Sequence, residues 1–106
     1  MNDAPGRWHP LGATEDFEAG KVRSIEIAGR RLAVGRAAAG FFAVDDVCPH
    51  AGASLGEGLV DGDFLVCPLH AFAYDVRTGD CEDDLTPVPV FEVREVDGRL
   101  EVRLPG

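Results

Sequence analysis

The sequence predicts an all-β fold, and three features of the chain indicate it. Short apolar runs alternate with turn signals along the whole length, which is typical of short strands joined by tight turns. The 13 glycines and 7 prolines are spread throughout the chain instead of being gathered in one linker. The 106 residues contain no internal repeat and no low-complexity tract, so we expect one small domain with a modest core.

The first predicted elements are a helical turn and a hairpin. Residues 14–19 are predicted to form one helical turn with Thr14 as its N-cap, since threonine is a good capping residue. Residues 24–27 (Ser-Ile-Glu-Ile) and 31–34 (Arg-Leu-Ala-Val) are strand-like runs on either side of Ala-Gly-Arg at 28–30. Two such runs joined by a short connection that contains glycine predict a β-hairpin.

Two further strand regions are predicted toward the middle and the end of the chain. Residues 40–44 (Gly-Phe-Phe-Ala-Val) form a strand because aromatic and β-branched residues are enriched in sheets. Residues 91–94 and 100–104 alternate apolar and polar side chains about Asp97-Gly98. An Asp-Gly pair between alternating runs is among the strongest local signals for a hairpin.

The middle of the chain differs from both ends, because glycines separate very short strand-like runs there. Residues 64–66 and 72–76 are predicted strands, and residues 78–80 (Thr-Gly-Asp) form a turn. The glycines of this region are Gly52, Gly56, Gly58 and Gly62.

Two short pairs of potential metal ligands lie in this middle region. Cys48-Pro49-His50 is followed, after a gap of sixteen residues, by Cys67-Pro68-Leu69-His70. Each pair offers one thiolate and one imidazole, and this donor set suits zinc or an iron–sulfur cluster.

The spacing within the pairs favours the cluster over zinc. A Cys₂His₂ zinc site usually takes two cysteines from one half and two histidines from the other. Here each half mixes the two ligand types, and a single residue separates the first pair. Two mixed pairs suit a dinuclear cluster held from opposite sides, with sulfur on one iron and nitrogen on the other.

This pattern of C-x-H followed by C-x-x-H resembles the Rieske iron–sulfur family, and the resemblance extends from about Trp8 to the end of the chain. It implies one [2Fe–2S] cluster, with Cys48 and Cys67 on one iron and His50 and His70 on the other. It also implies a Rieske-type β-barrel or sandwich base with an inserted rubredoxin-like cluster-binding subdomain at about residues 46–76.

Departures from one branch of that family indicate a low reduction potential. The high-potential branch has an additional cysteine in each loop, but Ala53 and Leu69 occupy those positions here. Phe72 replaces a serine whose hydroxyl donates a hydrogen bond to a bridging sulfide in that branch, and losing such a donor lowers the potential. Tyr74 matches a tyrosine that can bond a ligand cysteine, although a role as a core aromatic fits it equally well.

Several apolar side chains are predicted to cover the cluster and to form a small docking patch around its histidines. Glu57 is expected at the rim of this patch. The alternative is that these residues serve only as a structural cover for the cluster. The predicted patch residues are Ala51, Leu55, Pro68, Leu69 and Ala71.

Composition and charge narrow the classes of partner and the compartment. The formal net charge of −9 disfavours binding to nucleic acid or anionic lipid and favours a basic protein surface, although acidity that merely aids solubility explains it equally well.

No apolar run approaches 18 residues, and residues 1–6 lack the basic and apolar stretches of a signal peptide. Cys81 has no obvious disulfide partner, which predicts the cytoplasm. An idle, buried thiol is expected for Cys81.

The function implied by the resemblance is that of a soluble one-electron carrier, a component of an oxidoreductase system and not an enzyme alone. The favoured role is the ferredoxin of a multicomponent aromatic-ring dioxygenase, with a reductase and a terminal oxygenase as partners. The alternative is the small subunit of a cytoplasmic NAD(P)H nitrite reductase, bound to its large subunit. A binding module without redox chemistry is disfavoured because all four ligands are present.

Overall fold

The computed structural model describes residues 6–49, 52–69, 72–82 and 86–105. In this part of the chain there are ten β-strands and two 3₁₀ turns, the turns at Thr14–Asp16 and Leu55–Glu57. None of its helical segments is long and apolar enough to cross a membrane. The strands are β1 (Arg7–Ala13), β2 (Val22–Ile27), β3 (Arg30–Ala37), β4 (Gly40–Asp45), β5 (Leu59–Asp61), β6 (Phe64–Val66), β7 (Ala73–Asp75), β8 (Val90–Phe91), β9 (Val93–Val96) and β10 (Arg99–Leu104).

The strands form three antiparallel sheets, which confirms the all-β prediction. Two sheets, with strand orders β2-β3-β4-β8 and β1-β10-β9, make a base. The third sheet, β5-β6-β7, lies in the chain between β4 and β8, two strands that pair with each other in the base. The third sheet is therefore an insertion into the base, as the family resemblance implies. The limits of residues 46–76 for the cluster-binding subdomain stay a prediction.

Both predicted hairpins are confirmed, and each turns through two residues in the left-handed region. Strands β2 and β3 meet at Ile27 and Arg30, with φ of 51° at Ala28 and 80° at Gly29. Strands β9 and β10 meet at Val96 and Arg99, with φ of 52° at Asp97 and 78° at Gly98. Positive φ at both central residues matches the twist of the flanking strands, which explains why Asp-Gly suits this turn.

The predicted strand over residues 91–94 differs from the structure, because the chain changes sheets within it. Val90 and Phe91 pair with β4, whereas Val93 begins the pairing with β10. Glu92 lies between the two short strands. The alternation of side chains along the sequence is the same for one strand and for two, so periodicity does not reveal the break.

The predicted helical turn begins at Thr14 but Thr14 is not its cap. The N-cap is Ala13, and no side chain caps the turn. The backbone N–H and the hydroxyl of Thr14 instead donate to the carbonyl oxygen of Gly98, at 2.9 and 3.1 Å. Thr14 thus attaches this turn to the β9–β10 hairpin, a contact between residues too distant in sequence to be foreseen.

The β3–β4 hairpin is buried on both faces and separates two apolar clusters. Leu32 and Val34 pack in the cluster of the base, whereas Ala33 and Val44 pack in the second cluster, with the residues of the inserted sheet. Successive residues of a strand point to opposite faces, so the apolar residues of β3 contribute to both clusters. This explains why they form a continuous apolar run in the sequence. The members of the second cluster that belong to the insertion and its flanks include Cys48, Leu55, Leu65, Cys67, Tyr74 and Val76.

A polar contact also attaches the inserted sheet to the base. The backbone N–H of Ala38 donates to the carbonyl oxygen of Gly62 at 2.9 Å, and that of Ala39 donates to Oδ1 of Asp63 at 2.6 Å. The β3–β4 turn is thereby bound to the β5–β6 turn. This contact fixes the end of the inserted sheet that lies away from the cysteine loops.

Ala28→Asn is expected to stabilise the protein. A non-glycine residue in the left-handed region costs about 1–2 kcal/mol, and asparagine tolerates that region better than alanine. We expect a gain of about 0.5–1 kcal/mol, measured as a higher midpoint of thermal unfolding at a fixed heating rate. Ala38→Asn is the control, because Ala38 is an exposed turn residue without a positive φ. An equal rise in both variants would contradict the explanation.

Candidate functional site

The two predicted cysteine ligands are both buried in one apolar cluster. Cys48 follows strand β4, and Cys67 directly follows strand β6. Both side chains are almost inaccessible to solvent, with relative exposures of 1% and 2%. The fold thus places two thiols that are nineteen residues apart in the sequence in the same buried cluster.

The first cysteine loop is a tight hairpin closed by backbone hydrogen bonds. The N–H of Cys48 donates to the carbonyl oxygen of Ala53, and the N–H of Gly52 donates to that of Cys48, both at 2.9 Å. Val47 and Ser54 form an antiparallel bridge below them. Gly52 has a φ of 69°, in the left-handed region, so this turn position favours glycine.

The second cysteine loop is held by strands β6 and β7. The N–H of Cys67 donates to the carbonyl oxygen of Phe72 at 2.8 Å, which closes the loop between them. Gly58 packs so closely on the backbone of Val66 that a Cβ at Gly58 would overlap the Val66 carbonyl oxygen. The strand that precedes Cys67 is thereby fixed on its other side.

Tyr74 connects the two loops. It lies on β7 opposite Leu65, and its hydroxyl oxygen is 3.4 Å from Sγ of Cys48. Burial raises the pKa of Tyr74 far above its usual value, and the hydrogen bond to Cys48 raises it further. The phenol therefore stays protonated and can donate to a thiolate. Of the two readings of Tyr74 in the sequence, both hold: the ring is a core aromatic, and the hydroxyl contacts a cysteine sulfur.

The two predicted histidine ligands, His50 and His70, lie outside the described residues, as do Ala51 and Ala71. The described residues nearest to them along the chain on the N-terminal side are Pro49 and Leu69, both exposed to solvent. The two loops thus run from buried cysteines outward to the surface.

The structure differs from the predicted apolar patch at Leu55. Pro68 and Leu69 are exposed, but Leu55 is fully buried, because its 3₁₀ turn packs it into the cluster that contains both cysteines. Sequence reasoning missed two exposed apolar residues, Val47 and Leu59, with relative exposures of 51% and 70%. Val47 precedes Cys48, and Leu59 pairs with Val66, the residue before Cys67.

Cys81 is buried, as predicted, and forms an antiparallel bridge with Tyr74. Two backbone hydrogen bonds flank this bridge: Asp75 N–H to the Asp80 carbonyl oxygen and Glu82 N–H to that of Ala73. Cys81 thus packs behind the tyrosine as part of the apolar cluster. The two residues of the acidic stretch that follow Glu82 lie outside the described residues.

One buried charged residue was missed in the sequence. Asp46, two positions before Cys48, has a relative exposure of 1%, whereas its neighbour Asp45 is only half-buried. A pair of aspartates before a loop looks like ordinary surface charge. The signal that distinguishes them is position. Asp46 continues the register of Phe42 and Val44, on the face of β4 that packs in the cluster with both cysteines.

The described part of the site fits the donor chemistry of an iron–sulfur cluster. Two buried sulfur atoms offer soft ligands, and a protonated phenol within reach of one of them suits a sulfur that carries negative charge. The apolar surroundings exclude water from the sulfurs.

Comparisons with known proteins agree with this chemistry. Residues 7–96 match the family model of the Rieske [2Fe–2S] domain. The chain is 40% identical over 100 residues to the anthranilate 1,2-dioxygenase ferredoxin subunit of Burkholderia cepacia, an alignment that covers 92% of each protein.

Two solved structures share the fold. A chain from the complex of reduced oxygenase and oxidised ferredoxin in carbazole 1,9a-dioxygenase superimposes with a TM-score of 0.83 and 37% identity, over 91% of this chain and 92% of that one. A Mycobacterium tuberculosis protein assigned as the small subunit of an NADH-dependent nitrite reductase superimposes with a TM-score of 0.87 over 95% of this chain and 97% of that one. Its identity is 24%, so that likeness concerns the fold alone.

Proposed function

Because this chain belongs to the Rieske [2Fe–2S] family, we propose that it is a one-electron carrier, the ferredoxin component of a multicomponent aromatic-ring dioxygenase. The observation that carries the proposal is the 40% identity to a dioxygenase ferredoxin over 92% of both proteins. The nitrite reductase alternative rests on a shared fold at 24% identity and has no comparable support.

The proposed ligands of the cluster are Cys48 and Cys67 on one iron and His50 and His70 on the other. They belong to a cluster-binding subdomain at about residues 46–76. When bound, the cluster supplies the chemistry of accepting one electron and passing it on. Both thiols are buried, and backbone hydrogen bonds close the loops that carry them. These observations support the cysteine half of the proposed ligand set.

The side chains around the cysteines support a carrier with a low potential. Tyr74 is positioned to donate a hydrogen bond to Cys48, but the residue two positions after His70 is Phe72, which has no donor in its side chain. Phe72 is partly buried against the apolar cluster. One sulfur thus has a side-chain donor, while the phenylalanine contributes only apolar cover.

We propose that partners dock on exposed apolar residues beside the cysteine loops. Val47, Leu59 and Leu69 are large apolar side chains with more than half of their surface exposed. Each is within two residues of a cysteine, either along the chain or across a strand pair. A small apolar surface of this kind suits the brief, low-area encounters of electron transfer.

The distribution of charge indicates the chemistry of those partners. Residues 37–93, which include the cysteine loops and the inserted sheet, contain eleven acidic residues and one basic residue. The remainder of the chain has eight acidic and nine basic residues, so residues 37–93 carry a net charge of −10 and the remainder carries +1. The basic residue, Arg77, is paired with Asp75 at 2.8 Å. A reductase and a terminal oxygenase with basic docking surfaces fit this polarity.

The cytoplasm is the proposed compartment. Cys81 is a buried thiol outside any disulfide, which is usual for a protein of a reducing compartment.

The ligand assignment is tested by cysteine substitution. Cys48→Ser and Cys67→Ser are each expected to abolish the cluster or change it grossly, measured as iron and sulfide content and as the visible and EPR spectra. Cys81→Ser is the matched control, since this third buried cysteine is not a proposed ligand. Loss of the cluster in the Cys81 variant, or its retention unchanged in the other two, would overturn the assignment.

Tyr74→Phe is expected to lower the reduction potential. The hydroxyl's hydrogen bond stabilises the reduced cluster more than the oxidised cluster, because the reduced cluster is more negative, so removing it disfavours reduction. If the hydrogen bond stabilises the reduced cluster by about 0.5–1.5 kcal/mol more than the oxidised cluster, the potential falls by about 20–65 mV for one electron. Spectroelectrochemical titration measures this shift. An unchanged potential with an intact cluster would show that the hydroxyl does not act on Cys48.

Leu69→Glu is expected to slow electron transfer to the native oxygenase about fivefold or more, because a charge replaces an apolar contact at the docking surface. Val96→Glu is the control, since Val96 is also an exposed apolar residue but lies on β9 of the base. Stopped-flow measurement at low and physiological salt should also show slower association at the higher salt. Equal rates for both variants would place docking elsewhere.

A further inference from the structure

Asp46 is a buried carboxylate whose contacts all serve the first cysteine loop. Its Oδ1 accepts hydrogen bonds from the Ser24 hydroxyl at 2.8 Å, the Ser54 hydroxyl at 3.0 Å and the Gly56 N–H at 2.8 Å. The two hydroxyl oxygens are themselves 2.9 Å apart. Each of the three neighbours can donate a hydrogen bond, and a carboxylate oxygen can accept more than one.

These contacts join the loop to the base. Ser24 belongs to β2, whereas Ser54 and Gly56 belong to the far side of the loop that begins at Asp46. The backbone of Asp46 adds two bonds, from its N–H to the Arg31 carbonyl oxygen and from the Leu55 N–H to its own carbonyl oxygen. One residue therefore ties both ends of the loop to each other and to two strands of the base.

The packing around this network leaves no room for adjustment. A Cβ on Gly56 would overlap both the hydroxyl and the backbone of Ser24. Leu55, beside it, is fully buried in the cluster that contains both cysteines. A shift of Asp46 would thus be transmitted directly to Val47 and Cys48.

The charge of Asp46 is only partly balanced. Arg31 is the cation near it, but its Nε lies 3.7 Å from Oδ2, and the arginine side chain is mostly exposed. The hydrogen bonds to Oδ1 stabilise the carboxylate without cancelling its charge. A buried negative charge two residues from a cluster ligand disfavours adding an electron, because interactions between charges are weakly screened away from water.

We propose that Asp46 is a positioning residue for the cluster, which holds the root of the first ligand loop against the base and lowers the reduction potential through its buried charge. This inference rests on the proposed function, since it takes Cys48 as a ligand of the cluster.

Three variants separate the two effects. Asp46→Asn removes the charge at nearly constant shape. Asp45→Asn removes the same charge from the adjacent residue, whose carboxylate accepts a single longer hydrogen bond, from the Val47 N–H at 3.3 Å. Ser24→Ala removes one donor from the network and leaves the charge of Asp46 in place.

Two measurements are made on the cluster-loaded proteins: the rate of cluster release to an iron chelator, followed by visible absorbance, and the midpoint potential at one pH. We expect Asp46→Asn to release its cluster about tenfold faster than the wild type and to have a higher potential, with a rise about twice that of Asp45→Asn or more. Ser24→Ala is expected to release its cluster faster without a rise in potential.

The outcomes divide clearly. Release rates and potentials of Asp46→Asn that match those of Asp45→Asn would overturn the inference while leaving the proposed function intact. If Asp46→Asn does not fold, Ser24→Ala decides, and wild-type release by that variant overturns the inference. A wild-type protein that binds no cluster would overturn both proposals.

Discussion

The hydroxyl of Tyr74 lies 3.4 Å from the sulfur of Cys48, and the organisation of the whole site depends on this buried contact. The two cysteine loops come from different hairpins, and a dinuclear centre needs both at fixed separation. Tyr74 pairs with Leu65 on the strand that leads to Cys67, so its ring is fixed by the second hairpin while its hydroxyl reaches the first. The same residue thus fills the apolar cluster and joins the two sources of sulfur. Burial keeps the phenol protonated, because it raises the pKa of Tyr74 far above the usual range.

The inserted sheet can keep this geometry because it is attached to the base at two separate places. Near the cysteines, Asp46 binds Ser24 of β2, and at the far end Asp63 and the carbonyl oxygen of Gly62 bind the β3–β4 turn. Between them, β3 and β4 contribute a second buried face to the apolar cluster of the insertion. A redox centre benefits from such attachment, since ligands that are held by packing and by outer hydrogen bonds need little rearrangement when the charge changes.

Local features of the sequence were enough to predict the all-β fold and both hairpins, because these depend on short spacings. Asp97-Gly98 selects its turn through backbone geometry, and the C-x-H and C-x-x-H pairs are visible as short local motifs. What sequence reasoning missed depends on residues distant in the chain. Glu92 separates strands of two sheets, Thr14 bonds to Gly98, and Leu55 is buried through a 3₁₀ turn, and none of these leaves a periodic signal. In the sequence, Asp46 differs from Asp45 only in the strand face on which it lies. Its partner Ser24 comes from β2, a strand distant in the sequence, so the buried hydrogen bond could not be predicted.

The division of charge along the chain connects this architecture to its use. An electron carrier must meet more than one partner and leave each quickly, so its docking surface has to be small, and orientation must come from longer-range forces. The net negative charge arises in residues 37–93, the stretch of chain that contains the cysteine loops. The same acidity acts at close range, since each carboxylate near the cysteines also disfavours the reduced state. Steering toward basic partners and a low potential are therefore two consequences of one charge distribution. Asp46 is buried two residues from Cys48, so its charge acts at short range on the proposed cluster and contributes mainly to the low potential.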